Sequence, residues 1–538
     1  MENEDLCQAC QALFVEVKDH QMYRHTLGGF SESATNGCRF CAIRWDRLSR
    51  EQRNEIVKHE HRIEVRHWKT RQPMLRFRYG SLVATLEFLL FPIEDVKDLV
   101  CTTVVASSTR LSESWPQIKR WYEDCLQNHS RCRSLSSSEN MYPARLIDVG
   151  CGQEVEPRLC ETSNLKVGFR YLTLSHRWGD HRILCLRTDN IEQMRRKVLE
   201  PAISKTFKEA MLVVKALGER YIWIDSLCII QDSPNRSDWF EESTKMHAIY
   251  ANAFCNISAT GAVDGRDGCF FDRSPLLVQP LRVEIAESEE LTRGTYLCVD
   301  WDIWSSNINN APLARRAWVV QERLLSKRVI HFSQRQIFWE CRERQTCEIF
   351  PHGMPPQLQQ SHEAIYKGID PDVEGARARE RRGLVSHPEL NVYELWNSIV
   401  EAYTQASLTM EDDKFVAIMG LAQRIQELLK QRYFAGLWEK HLADQLLWSP
   451  AGSQGMVKPQ KYIAPSWSWA SFVVPIKSPC LIRDTTDDNT LIQIVDLDVQ
   501  TINDHPLSQV TSGSLTLRGS LVRGRIWKEI LDGGGWAK

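Results

Sequence analysis

The sequence predicts an α/β protein whose central part is an open, mostly parallel sheet, and three observations carry that prediction. "YLTL" and "YIWIDSLCII" read as short strands, the second apolar on both faces as a central parallel strand requires. "TFKEAMLVVKAL", between them, repeats Phe207, Ala210, Met211, Val214 and Leu217 at helical spacing. "SDWFEESTKMHAIYANA" followed by "FCNISA" then continues the alternation of helix and strand.

Each element carries its own signals. Thr206 and Glu209 fit a capping box at the start of the first helix, and Gly218 marks its end. Ser237 or Asp238 suits the cap of a helix over 237–253. Around this α/β segment, taken as 145–345, the chain divides further. Residues 1–140 form a cysteine-containing region with a strand-like "ATLEFLLFPI" and a helical "SWPQIKRWYEDCLQNH", ending at the polar break "SLSSSEN". Residues 346–390 read as an exposed linker, and 391–538 as a mixed α+β region, helical first and then β. There "PSWSWASF" is expected to be a strand with Trp467 and Trp469 on one face as core residues.

Composition narrows the function. A chain of 538 residues exceeds one ordinary core, and a net charge of −2 argues against a whole-molecule field for nucleic acid or an anionic membrane. No run reaches the roughly 18 apolar residues of a membrane span, and the acidic start lacks the pattern of a signal peptide, so a cytoplasmic protein is expected. In that compartment an odd count of 17 cysteines suggests buried thiols or metal ligands rather than disulfides.

Ligands of open parallel sheets bind where strands end. Ser175, His176, Trp178 and Asp180 follow the first strand, and Asp225 and Ser226 follow "YIWI", so these groups are expected to meet as a ligand-binding wall. Glu242 shares an apolar helix stripe with Trp239, Met246 and Ile249 or Tyr250, which makes it either a carboxylate paired with Arg177 or His176 or a catalytic one. Glu241 and Lys245 read as surface. The segment "RRAWVVQERLLSKRVIHF" brings Arg316, Gln321, Glu322 and Arg323, suited either to bracing the sheet or to touching a ligand. No G-x-S-x-G elbow, Walker loop or G-x-G-x-x-G fingerprint occurs.

Two further clusters have the spacing of metal ligands. Cys7, Cys10, Cys38 and Cys41 form two C-x-x-C pairs, with His20 and His25 between them, and could close a tetrahedral structural zinc site. Cys125, His129 and Cys132 share one helix face. They make a site only if a fourth ligand arrives, Cys101 or Cys151, and otherwise form a cluster of buried thiols.

Together "YLTLSHRWG", "YIWIDSLCIIQD", "WFEESTKMHAIYANA" and "RRAWVVQERLLSKRVIHF", in that order, resemble the HET (heterokaryon incompatibility) domain of filamentous fungi. "DDKFVAIMGLA" and "APSWSWAS" resemble segments that flank it in such proteins. The resemblance implies a role in non-self recognition and programmed cell death, with partners among incompatibility-system proteins or further copies of the chain. It also implies distant similarity to TIR domains, whose flavodoxin-like sheet in some members supports cleavage of NAD by a glutamate. By its place in the helix after the second strand, that glutamate would be Glu242, with NAD as the substrate. The alternative is a signalling module that self-associates and turns over nothing.

Overall fold

The described residues of this computed structural model are 6–15, 20–23, 27–58, 63–68, 73–79, 84–133, 141–150, 156–179, 183–198, 203–286, 291–359, 367, 369, 379, 385, 387–452, 457–478, 491–502 and 505–520. The elements that position the site belong to an eight-stranded sheet. Its strands are β1 (Arg145–Asp148), β2 (Arg158–Glu161), β3 (Tyr171–Ser175), β4 (Tyr221–Trp223), β5 (Cys255–Ser258), β6 (Arg328–Phe332), β7 (Ile337–Cys341) and β8 (Gln345–Cys347).

Across the sheet the order is β8-β7-β6-β5-β3-β4-β1-β2. The inner quartet β6, β5, β3 and β4 is parallel, whereas β7 and β8 on one side and β1 and β2 on the other run antiparallel. The expected mostly parallel sheet is therefore a mixed one with a parallel centre. The physical reason is connection length: β6 to β8 and β1 to β2 are joined by short links, which can only reverse the chain, while each parallel pair has a helical crossover to return it. Within the quartet the chain winds outward from β3 to β4 and then from β5 to β6, so the order reverses between β3 and β5. Both of these strands end at the same edge, with Ser175 opposite Ser258.

The crossovers are helices. Helix α1 (Leu111–Asn128) precedes the sheet, α2 (Lys205–Ala216) links β3 to β4, α3 (Ser237–Asn252) links β4 to β5, and α4 (Ala317–Leu325) leads into β6. Phe207, Ala210, Met211 and Val214 are buried, as their spacing predicts, and each large apolar side chain contributes about 1.5–3 kcal/mol by leaving water. The caps differ from the expected ones. Ser204 caps α2 by accepting from the Phe207 N–H, and Glu209 instead accepts from the Cys269 and Phe270 N–H groups. At α3 neither Ser237 nor Asp238 caps. Arg236 occupies the N-cap in a left-handed conformation, while Asp238 pairs with Arg145 at 2.7 Å and accepts from the Ile230 N–H.

Helices α5 (Pro388–Gln405) and α6 (Val416–Leu429) pack against α4, and α6 also meets α3. Trp396, Trp438 and Trp469 thereby join one apolar core with Leu172, Trp223 and Ile257 of the sheet. Trp469 is core as expected, but "PSWSWAS" forms a turn and a short 3-10 helix over Trp469–Ser471 rather than a strand. The Trp469 and Trp396 indoles donate to the Gly436 carbonyl, a tertiary contact that the alternating pattern cannot signal. A second, antiparallel sheet combines strands within 20–92 with Leu281–Ile285 and Gly294–Asp300, so part of the 145–345 segment completes the N-terminal layer. Of the expected exposed linker, Cys347, Ile349, Phe350 and Leu358 are buried in a third core. The break at 134–140 lies outside the described residues. Among the described residues no helix is long and apolar enough to cross a membrane, and no disulfide joins their cysteines.

The sheet's antiparallel margin hangs on one buried charge. Glu340 of β7, fully buried, takes a bidentate pair from Arg323 at 2.8 and 2.9 Å, with His331 at 3.3 Å and Lys367 at 3.9 Å. Burial pushes its carboxyl up, but Arg323 and Lys367 outweigh that and hold it well below the ordinary range. Glu340→Ala would leave two buried cations without their counter-ion, and should destabilise this core by about 3–5 kcal/mol, read as a lower urea midpoint.

Candidate functional site

The end of β3 and the end of β4 come together as the strand pairing requires. Ile224 closes β4 and the chain turns at once into a short helix, Asp225–Cys228, which aims the Asp225 side chain across the edge of the sheet. Its carboxylate accepts three donors: His176 Nε2 at 2.8 Å on Oδ1, the Ser226 N–H at 2.6 Å on Oδ1, and Trp178 Nε1 at 3.0 Å on Oδ2. Burial raises the Asp225 carboxyl, yet the His176 and Arg316 charges and these hydrogen bonds bring it down to about 2. Asp225 is thus an organiser of the wall, with most of its accepting capacity spent on the protein itself.

His176 is buried. Its ring stands edge-on to Phe207 with centroids 4.9 Å apart, its carbonyl accepts from Arg316 Nη1, and its Nδ1 has no hydrogen-bond partner. Ser175 points to the other face of the strand and exchanges hydrogen bonds with Asn256 of β5, at 2.9 Å from Asn256 Nδ2. Ser226 is buried with its hydroxyl unpartnered. The turn that carries Trp178 depends on Gly179, whose φ is +65° and where a Cβ would meet that of Asp264 at 2.4 Å. Asp180 lies outside the described residues.

Glu242 is buried, but its neighbours are different ones. It accepts from the Ala144 N–H at 3.2 Å and from Lys245 at 3.1 Å, beside β1 rather than β3. Lys245, expected at the surface, is half-buried and bridges Glu241 and Glu242, because its long side chain can fold back over one helical turn. The carboxylate beside Ser175 is Glu322 of α4. It is buried, bordered by the Ser175 and Tyr250 hydroxyls and by Arg316, and its Oε2 has no hydrogen-bond partner. Burial raises its carboxyl above the ordinary 4.5, against the pull of Arg316. Glu322 and Arg316 stand in the "RRAWVVQER" segment as polar residues on an apolar helix. No local pattern pairs them with a strand some 140 residues earlier.

Beside Arg316 opens a cleft of about 450 Å³, lined among others by Ala317, Tyr403, Leu408, Lys414 and Val474. Its volume is in the range that small ligands use. Lys414, from the "DDKFVAIMGLA" segment, is mostly buried over the Trp469 ring and donates to the Phe472 carbonyl. Burial, against Glu411, lowers its pKa to about 8.

Both cysteine clusters assemble. Cys7, Cys10, Cys38 and Cys41 converge with their Sγ atoms mutually within 4.8 Å. Cys41 Sγ is 3.8 Å from Cys7 and 3.5 Å from Cys10, close to the edge of about 3.8 Å that zinc–sulfur bonds of about 2.3 Å give a tetrahedron. Buried Arg44 donates to Cys41 Sγ at 3.4 Å and lies over the rings of Phe30, Phe40 and Phe77, placing a cation where thiolates would need one. These residues could hold a metal such as zinc. His25 is outside the described residues, as is the His20 side chain. The second cluster closes through Cys341, not Cys101 or Cys151. Cys101 bonds Thr103 instead, and Cys151 is outside the described residues.

An α/β domain with a polar cluster at the C-terminal ends of its parallel strands is what the geometry defines. The family model described as heterokaryon incompatibility protein (HET) matches residues 171–322, from the first residue of β3 to Glu322 itself. The chain therefore carries a HET domain, which suggests a role in heterokaryon incompatibility, and the matched span contains the entire polar cluster while leaving out both cysteine clusters. No curated protein and no solved structure matches the chain.

Because its folded pKa is depressed, Asp225 contributes stability above the ordinary value of 3.8 that is lost as pH falls towards about 2. Asp225→Asn should lower stability near neutral pH by roughly 2 kcal/mol, since each tenfold change in proton affinity on folding is worth about 1.4 kcal/mol. The gap from wild type should close between pH 4 and 2 in thermal unfolding.

Proposed function

We propose that the HET domain is the effector of a non-self recognition response leading to cell death, and that it acts by hydrolysing NAD at the C-terminal edge of its parallel strands. One observation carries this reading: Glu322, a buried carboxylate with an unpartnered oxygen, faces Ser175 and Tyr250 beside the Asp225 cluster. A charge left unpaired in an interior destabilises the fold, and such groups cluster at functional sites.

In the proposed reaction, water adds to the anomeric carbon of the nicotinamide ribose and the C–N bond breaks. The electron pair leaves with the pyridinium nitrogen as neutral nicotinamide, and the water proton is released with ADP-ribose. Glu322, ionised, would stabilise the positive charge developing on the ribose and take the proton of the attacking water. Arg316 would attract the diphosphate, and the Trp178 ring offers a face for a base. His176, Asp225 and Ser226 would hold the wall in register. Glu242, already engaged by Lys245 and the Ala144 N–H, is the second carboxylate to test.

The full chain, assayed at high concentration with NAD, should release nicotinamide, and Glu322→Gln should reduce the rate at least about 100-fold, the usual loss when one positioned acid–base group goes. Loss in Glu242→Gln with Glu322→Gln still active would return the role to α3. If wild type releases no nicotinamide, or both variants match it, the domain is a self-associating signalling module instead. Stability supplies a second readout. The raised folded pKa means Glu322 favours folding below pH 4.5 and opposes it as pH rises through the folded value, so Glu322→Gln should melt higher than wild type at pH 8.

A further inference from the structure

We infer that Cys125, His129, Cys132 and Cys341 bind a zinc ion that clamps helix α1 to β7, the strand next to the edge of the sheet. The four donor atoms lie mutually within 4.8 Å and all four residues are buried. They arrive from three directions: Cys125 from the last turn of α1, His129 from its C-cap, Cys132 from the short helix Ser130–Arg133, and Cys341 from the last residue of β7. His129 Nδ1 is 3.2 Å from Cys341 Sγ. A tetrahedron with zinc–nitrogen bonds of about 2.0 Å and zinc–sulfur bonds of about 2.3 Å has a nitrogen–sulfur edge of about 3.5 Å, so small shifts admit the ion.

Two surrounding features fit a metal better than a cluster of neutral thiols. The first is charge. Arg328 is buried, and its guanidinium donates to Cys125 Sγ at 3.2 Å and to the carbonyls of Cys132 and Phe254. Among the described residues no carboxylate pairs with it. A buried guanidinium against neutral thiols would lack a counter-charge, whereas zinc with three thiolates and a neutral imidazole carries a net charge of −1, the complement of Arg328. In the N-terminal cluster Arg44 likewise donates to a cysteine, Cys41 Sγ.

The second feature is the other side of the His129 ring. With Nδ1 turned to the thiols, Nε2 is buried without a hydrogen bond and lies 3.6 Å from Asp124 Oδ2. A carboxylate behind the distal nitrogen of a ligating histidine orients the ring and raises its basicity, a pairing common at zinc sites. Asp124 is in turn held by Arg344 at 2.7 Å, and Arg344 lies beyond Cys341 on the same edge of the sheet. Four protein ligands leave no open position, so the ion is structural. It ties α1 to the strand whose Glu340 anchors the buried ion network, and so joins the segment before the sheet to the sheet itself.

Metal analysis of the full chain decides this. Wild type should carry two zinc ions, and Cys341→Ser should carry one fewer while Cys10→Ser loses the other. X-ray absorption at the zinc edge of wild type needs no variant to fold, and should show an average of about 3.5 sulfurs and 0.5 nitrogen per zinc, the mean of a four-cysteine and a three-cysteine, one-histidine site. His129→Cys should keep both ions and raise the average to four sulfurs. The proposal is overturned if Cys341→Ser retains the zinc content of wild type, if wild type holds no zinc, or if its only zinc disappears in Cys10→Ser and shows sulfur alone.

Discussion

Charge cannot be buried alone, and the interior of this protein is laid out around that constraint. Glu340 meets Arg323, Lys367 and His331, Arg145 meets Asp238, and Arg273 meets Glu348. Arg145 with Asp238 and Arg273 with Glu348 join elements that are far apart in the chain, so the electrostatics stitch the fold as well as neutralise it. Arg273 and Glu348, for example, bring the segment after β5 to the one after β8. The same constraint makes the exceptions informative. Among the described residues Arg328 faces sulfur rather than a carboxylate, and Glu322 faces hydroxyls, with one oxygen unmatched, while Arg44, which has further partners of its own, also donates to a cysteine.

These exceptions separate two kinds of chemistry. The two arginines lie beside convergent cysteines outside the HET span, where a closed tetrahedron of donors can brace a layer of the fold. Glu322 lies at the end of the HET span, where the strand order reverses and the ends of β3 and β5 face a common edge. Asp225 holds that edge by gathering His176, Trp178 and the Ser226 N–H onto one carboxylate. The cluster's shape is thus built from the two loops, while its carboxylate with an unmatched oxygen comes from a helix between β5 and β6.

How much of this is legible in the sequence depends on the range of each interaction. The alternation of strand and helix from 171 to 258, the buried face of α2 and the meeting of His176, Trp178, Asp225 and the Ser226 N–H follow from periodicity and from the rule that neighbouring parallel strands end together, whereas Ser175 turns to the other face and bonds Asn256. The order of the HET motifs is legible for the same reason, since each motif is one strand or helix with its adjoining loop. Caps are less so, because Asp238 and Glu209 could serve either their own helix or a distant N–H, and the distant partner wins in both. The "PSWSWAS" pattern points to a strand where a turn forms, because alternating Trp and Ser satisfy both equally well.

By itself the sequence determined the central α/β layer, the order of the HET-like motifs, the residues of the strand ends and the four N-terminal cysteines as one group. Only the tertiary structure decided that Glu322 rather than Glu242 stands beside Ser175, that Cys341 completes the second cluster, and that Lys245 covers Glu242. It also decided that strands Leu281–Ile285 and Gly294–Asp300 leave the HET segment to complete another sheet. Each of those outcomes turns on which distant groups a buried charge, thiol or strand edge will find, and that is set by packing across the whole chain rather than by the residues on either side.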